Sequence, residues 1–106
     1  MSLTLEQLQR ESYKWSQHNF PNGQPYQPLL GAMEELGELC HAHLKMEQGI
    51  READNEDKWD AIGDIIVYLA DYCNRSGIDL AKAVEMVWES VKFRDWVKFP
   101  KNGRTE

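Results

Sequence analysis

Two apolar stretches near the middle of the chain decide the fold: LLGAMEELGELCHAHL at residues 29–44 and AIGDIIVYLADYC at residues 61–73. In both stretches apolar residues recur at steps of three and four positions, which is the repeat of an α-helix. Both are also apolar nearly all the way round, a pattern typical of helices that are buried on more than one side. Because the chain has only 106 residues, we expect a partner subunit to provide the second cover.

Capping residues predict where the helices begin. Thr4, with Gln7 three residues later, forms a capping box for a first helix. Asp54 or Asn55 is suited to cap a third helix, and Asp79 is suited to cap a fourth. The sequence shows no sustained alternation of apolar and polar residues of the kind that marks a strand. These signals predict an all-α bundle of four to five helices joined by short connections.

Helical spacing also predicts the residues that form an apolar stripe along each helix, and in the fourth helix this stripe is expected to face inward. In the second helix these are Leu29, Met33, Leu36, Cys40 and Leu44. In the third helix they are Trp59, Ile62, Ile66, Leu69 and Cys73. In the fourth helix they are Leu80, Val84, Val87, Trp88 and Val91.

Length and composition predict one globular domain over residues 1–106, with an irregular tail from about residue 97. Hydrophobic residues make up 42% of the chain and four Trp are present, which is enough for a core and argues against disorder. No run approaches the roughly 20 apolar residues that span a bilayer, and the first residues lack the pattern of a secretory signal. Cys40 and Cys73 lie in apolar runs, so we expect small buried side chains in a reduced, cytoplasmic protein.

The acidic residues are concentrated in the middle of the chain. The whole chain carries 12 Lys+Arg and 18 Asp+Glu, a formal net charge of -6. Residues 34–64 hold ten acids and three bases, whereas residues 92–104 hold five bases and one acid. The acidic balance argues against nonspecific binding to nucleic acid polymers, which requires a basic face. An acidic centre with a basic C-terminal strip fits a ligand that combines a metal ion with an anion.

Four carboxylates are placed on the faces of the two central helices. Glu35 and Glu38 are three residues apart, and Asp60 and Asp64 are four apart, so each pair shares a helix face. Asp64 is the only charged residue in the run AIGDIIVYLA, and a carboxylate buried alone needs a partner or a metal ion. Oxygen ligands suit Mg²⁺, with Mn²⁺ as an alternative. We therefore predict a metal site formed by Glu35, Glu38 and Asp64, with Asp60 as a fourth ligand.

The segments GAMEELGEL and DAIGDIIVYL together resemble the MazG-like, all-α nucleoside triphosphate pyrophosphohydrolases. The family pattern is EExxE on one helix and ExxD on the next. The matching residues are Glu34, Glu35, Glu38 and Asp64. Ala61 stands where the family usually has Glu, and Asp60 is the nearby acid that could replace it. The segment VKFRDW also resembles an end motif found in some members.

The resemblance implies a MazG-like bundle completed by subunit association, as a homo-oligomer that is a dimer or a tetramer. It also implies Mg²⁺-dependent hydrolysis of a (deoxy)nucleoside triphosphate to the monophosphate and pyrophosphate, as house-cleaning of the nucleotide pool. Water is the expected nucleophile, because no Ser, Cys or Lys stands beside a base that could activate it. Glu34 or Glu38 is the candidate to orient or deprotonate this water.

Basic and aromatic residues outside the motif are candidates to bind the rest of the substrate. Lys92 and Arg94 could hold the phosphates as cations. Trp15, His18 and Asn19 precede a loop and could hold the base, since an aromatic face can stack on any base.

Two other functions are compatible with parts of the pattern. Glu38 and His41 form a Glu-x-x-His motif, which di-iron carboxylate oxidoreductases use on two helices, but the chain has no second copy. A non-enzymatic helical interaction module would explain the acidic face, although not the lone carboxylate of Asp64. Metal dependence separates the three functions: Mg²⁺ or Mn²⁺ for the hydrolase, iron for the oxidoreductase and none for the module.

Overall fold

The computed structural model describes residues 2–51 and 55–104. Within these two ranges the chain forms four helices and no strand, which confirms the predicted all-α class. The helices are α1 (Leu5–Asn19), α2 (Tyr26–Glu47), α3 (Asn55–Ser76) and α4 (Leu80–Val91).

Local hydrogen bonds explain where most of these helices begin and end. The predicted capping box of α1 is present: the Thr4 hydroxyl accepts a hydrogen bond from the Gln7 backbone N–H at 3.1 Å, and the Gln7 side chain accepts one from the Thr4 N–H at 2.8 Å. The Asp79 carboxylate caps α4 as predicted. Gly77 follows α3 with a φ of 70°, a left-handed conformation that glycine adopts readily. The predicted cap Asp54 lies outside the described residues.

The helix α3 lies at the centre of the arrangement. Helix α2 packs along it, α1 contacts it at a second face, and α4 contacts both α1 and α3. Small buried side chains allow the close approach, with Ala32 on α2 and Ala61 on α3. The core consists of Ala70, Cys73 and Leu80, against which Leu5, Leu8 and Tyr72 pack. Burial, and then the negative charge of Asp79, raises the pKa of the Cys73 thiol, which favours its uncharged form.

The predicted apolar stripe of α2 is not buried within one chain. Met33 is 66% exposed, and the other four members of the stripe are exposed as well. The predicted burial of Cys40 is therefore wrong, whereas that of Cys73 is confirmed. The physical reason is that α2 has two apolar faces, and the face with the smaller side chains packs against α3. That face contains Ala32 and Gly31, which lies directly beneath the Tyr68 ring of α3.

The predicted inward stripe of α4 is wrong for one chain. Leu80 is buried, but Val87 is 63% exposed and Trp88 is 58% exposed. In α3 the predicted stripe is buried only toward its C-terminal end, and Trp59 near its start is 81% exposed. One chain therefore leaves many large apolar side chains in contact with water.

The overall dimensions agree with this incomplete packing. The Cα radius of gyration is 17.2 Å, compared with about 13 Å for a compact domain of this length. After α4, residues 92–104 form turns rather than a fifth helix. Within the described part of the chain, no helix is both long and apolar enough to cross a membrane.

Candidate functional site

The contact between α2 and α3 holds two adjoining clefts that share one carboxylate. The larger cleft has a volume of about 510 Å³, and its lining includes the carboxylates of Glu35, Asp64 and Asp71. The second, which we call the acidic cleft, has a volume of about 320 Å³ and is lined by Glu35, Glu38 and Asp60. Glu35 is half-buried and lies at the junction of the two clefts. Of the four predicted metal ligands, Glu35 lines both clefts, Asp64 lines only the larger one, and Glu38 and Asp60 line only the acidic cleft. Asp64 is exposed, which differs from the burial expected for a lone charge in an apolar run.

The electrostatics of Glu35 show that these carboxylates interact. Desolvation raises the pKa of Glu35 above its ordinary value, and the charges of Glu38, Asp64 and Glu34 raise it further, in that order of size. A negative charge at Glu35 is therefore opposed by its neighbours on both helices. Such mutual repulsion is what a bound divalent cation relieves.

The donor chemistry fits a hard divalent cation, because all four predicted ligands are carboxylates. Within residues 2–51 and 55–104, no three His, Cys, Asp or Glu side chains stand close enough to form a ready-made metal-binding group. The metal-ligand roles of Glu35, Glu38, Asp60 and Asp64 thus stay predictions, supported by their positions on the linings of the two clefts and by the raised pKa of Glu35.

Most of the remaining lining of the larger cleft is apolar and aromatic. Trp15 and Phe20 meet edge to face, with 5.8 Å between ring centroids and an interplanar angle of 71°. Residues from α2 and α3 complete the lining, and Gly31 allows the Tyr68 ring to lie close to α2. The remaining lining residues are Trp15, Phe20, Gly23, Gln27, Pro28, Val67, Tyr68 and Arg75. One cleft therefore combines aromatic rings with three carboxylates and the Arg75 guanidinium.

The predicted base-binding residues do not all reach this cleft. Trp15 lines it, whereas the lining includes neither His18 nor Asn19. The Asn19 side chain instead donates a hydrogen bond to the Trp15 carbonyl at 2.9 Å, at the end of α1. Phe20 and Tyr68 line the cleft, although the sequence analysis did not assign them to the base. Both are aromatic residues near the motif or the loop, which is the signal that could have identified them.

The predicted phosphate-binding residues lie apart from both clefts in this chain. The Lys92 ammonium lies 2.9 Å from a Glu89 carboxylate oxygen and 5.2 Å from the centroid of the Phe93 ring. The Nε atom of Arg94 is buried and has no hydrogen-bond partner within the described residues. Their proposed contact with phosphate stays a prediction.

A polar network that includes two lining residues of the larger cleft, Asp71 and Arg75, was missed by the sequence analysis. Arg75 on α3 donates hydrogen bonds to the Asp71 carboxylate at 3.1 Å and to the Ser16 hydroxyl at 2.7 Å. It also donates to the backbone carbonyls of Phe20 at 3.1 Å and Gly23 at 2.7 Å. The spacing of Asp71 and Arg75 by four residues suggests a helical ion pair, but the long-range partners leave no sequence signal.

One solved structure is similar to this chain. It is a cyanophage S-2L MazG-like pyrophosphohydrolase bound to dGDP and three catalytic Mn²⁺ ions per active site. The match has a TM-score of 0.63 and 22% sequence identity, and it covers 90% of this chain and 84% of the other. No protein-family model matches the chain, and no curated protein sequence matches it. The similarity confirms the MazG-like fold that the EExxE and Asp64 pattern predicts.

Proposed function

We propose that this protein is a metal-dependent hydrolase that converts a (deoxy)nucleoside triphosphate to its monophosphate and pyrophosphate. The observation that carries the proposal is a single cleft whose lining joins the motif carboxylates Glu35 and Asp64 with aromatic rings, and also includes Asp71 and Arg75. A nucleotide has the matching chemistry, with a charged phosphate chain and a flat base. The solved structure with this fold holds a nucleotide, dGDP, together with Mn²⁺.

The predicted carboxylate ligands that line the two clefts would hold the metal. They are Glu35, Glu38 and Asp64, with Asp60 as the fourth ligand in place of the family Glu that Ala61 lacks. A bound Mg²⁺ or Mn²⁺ supplies positive charge that neutralises phosphate oxygens during the reaction. Desolvation is the largest cause of the raised pKa of Glu35, and the neighbouring carboxylates that raise it further would also attract a cation, which supports this role.

The remaining side chains of the site would position the substrate and the water. Glu34 and Glu38 are exposed, and the one that does not bind metal would orient or deprotonate the attacking water. Trp15 and Tyr68 present ring surface to the larger cleft and would hold the base by stacking. Lys92 and Arg94 are proposed to hold phosphate oxygens. His18 and Asn19 are proposed to help bind the base.

We also propose that the active form is a homo-oligomer, a dimer or a tetramer. The exposed apolar side chains of α4, including Val87 and Trp88, line an open hollow with almost no polar surface. Phe93 and Val97, in the segment after α4, are also exposed. Contiguous apolar surface on this scale marks an interaction site. The cytoplasmic location and the house-cleaning role stay predictions.

The test is a screen of nucleoside and deoxynucleoside triphosphates with Mg²⁺, Mn²⁺, Fe²⁺ or EDTA, with separate detection of pyrophosphate and orthophosphate. We expect pyrophosphate release that requires Mg²⁺ or Mn²⁺, and its loss in Asp64→Asn. Glu6→Gln is the matched control, since Glu6 is an exposed acid on α1 away from both clefts. Oxidation of Fe²⁺ by O₂ without pyrophosphate release would favour the oxidoreductase class, and no turnover with any metal would favour the interaction module.

A further inference from the structure

We propose that Arg75 is a positioning residue that clamps the loop at residues 20–25 onto α3 and so fixes the aromatic wall of the nucleotide cleft. The inference rests on the proposed function, because it assigns a purpose to one wall of that cleft. Phe20 and Gly23 belong to both the clamped loop and the cleft lining.

The environment of the Arg75 side chain shows that it is part of the structure rather than a free cation. Its side chain is only 8% exposed, and that of its partner Asp71 is 19% exposed. Four hydrogen bonds use four of the five guanidinium N–H groups. The group therefore lacks the pair of free parallel donors with which arginine normally grips a phosphate.

The partners of Arg75 connect three separate parts of the chain. The Ser16 hydroxyl on α1 donates a hydrogen bond to Asp71 at 2.7 Å and accepts one from Arg75 at 2.7 Å. The carbonyls of Phe20 and Gly23 lie at either side of a turn that is closed by a 3.1 Å backbone hydrogen bond between these residues. Arg75 thus joins the end of α1 and the following loop to α3, and it lines the same cleft as Trp15 and Phe20.

Gly23 provides independent evidence for the clamp. A Cβ atom at this position would lie 2.7 Å from the guanidinium carbon of Arg75 and 2.8 Å from each terminal nitrogen. Gly23 does not have a positive φ, so its backbone conformation is open to other residues. The absence of a side chain at Gly23 is required by the guanidinium group, which fills the space a methyl group would take.

The clamp makes a specific kinetic prediction. A wall that holds the base binds substrate and transition state equally, so loosening it raises KM and leaves kcat nearly unchanged. We expect Arg75→Met to raise KM about tenfold, with kcat within about twofold of the wild type. Gly23→Ala should also raise KM, because its methyl group displaces the Arg75 guanidinium. The double variant should be no worse than the more affected single variant, since both lose the same contacts.

The experiment measures kcat and KM for the four variants, with the best substrate of the triphosphate screen and Mg²⁺. Arg10→Met is the matched control, because Arg10 is an exposed arginine on α1 with only a 3.9 Å ion pair to Glu6. Hydrogen exchange of the backbone amides of residues 20–25 supplies a readout that needs neither metal nor substrate. We expect faster exchange there in Arg75→Met and Gly23→Ala, and no change in the control.

Each outcome of the experiment either supports or overturns the proposed role of Arg75. Unchanged KM in folded Arg75→Met and Gly23→Ala would overturn the inference, as would a loss of kcat at constant KM. If Arg75→Met does not fold, Gly23→Ala and the exchange of residues 20–25 decide. If the wild type releases pyrophosphate and the variants have wild-type KM values and wild-type exchange at residues 20–25, only the clamp is refuted. A wild-type protein without turnover on any triphosphate refutes the proposed function, and the inference with it.

Discussion

Two glycines on α2 allow a direct test of how α2 packs against α3. A Cβ atom at Gly31 would lie 2.5, 2.7 and 2.8 Å from three ring carbons of Tyr68, whereas a Cβ atom at Gly37 would meet nothing within 4 Å. Both glycines lie within the same helix, so Gly→Ala brings the same gain in helix propensity, about 1 kcal/mol. Only Gly31→Ala must also displace the Tyr68 ring, and overpacking of this kind costs about 1–3 kcal/mol.

The comparison of the two variants removes the propensity contribution. Gly31→Ala should be less stable than Gly37→Ala by about 1–3 kcal/mol, because only the contact with Tyr68 differs. Each kcal/mol shifts the Tm of a domain near this size by roughly 4–8 °C, so thermal denaturation followed by circular dichroism resolves the difference. Gly63→Ala on α3 is a second control, since its Cβ atom would also be in open space. Equal Tm values for Gly31→Ala and Gly37→Ala would refute the packing of Tyr68 against α2 and the cleft built on it.

Four further predictions concern the site and the assembly. Asp64→Asn and Glu38→Gln should each nearly abolish turnover in Mg²⁺ while the helical circular dichroism remains, and full activity in either variant would refute the ligand assignment. In metal-free buffer the same variants should be as stable as the wild type or more so, because each removes a charge that repels Glu35. The pKa of Glu35 is raised in the folded protein, so the folded state binds its proton more tightly than the unfolded state does. Without metal, the free energy of unfolding should therefore fall as pH rises from the ordinary Glu range through the raised pKa of Glu35. Glu35→Gln should remove this part of the decline. Identical pH profiles for the wild type and Glu35→Gln would contradict the prediction. Light scattering at micromolar concentration should show a dimer or a tetramer, and a monomer would exclude the proposed assembly.

The helices were predictable because their signals are local. The capping box at Thr4 and the cap at Asp79 each involve residues within one helical turn, and both are present. The inward faces were not predictable to the same degree. Helix α2 is apolar on several sides, so periodicity identifies a helix without choosing which face meets α3. The contact is made by Gly31 and Ala32, whose small size sets the distance between the helices but gives a weak hydrophobic signal.

The candidate site was likewise predictable where its signals are local and not where they are long-range. The grouping of Glu35 with Asp64 follows from two helical motifs and one helix contact, and the structure brings both residues to one cleft. The contribution of Arg75 could not be predicted, because its partners Ser16 and Gly23 lie 59 and 52 residues away in sequence. Charge patterns identify acids that repel each other, whereas a hydrogen bond to a distant backbone carbonyl leaves no trace in composition or spacing.

The position of bond cleavage is the most direct test of the proposed reaction. The purified protein is incubated with its preferred triphosphate and Mg²⁺ in ¹⁸O-labelled water, and the products are separated and analysed by mass spectrometry. Attack of water on the α-phosphorus places one ¹⁸O atom in the nucleoside monophosphate and leaves pyrophosphate unlabelled, which is the expected result. Label in pyrophosphate, or orthophosphate as the first product, would show that water attacks elsewhere and would contradict the pyrophosphohydrolase assignment.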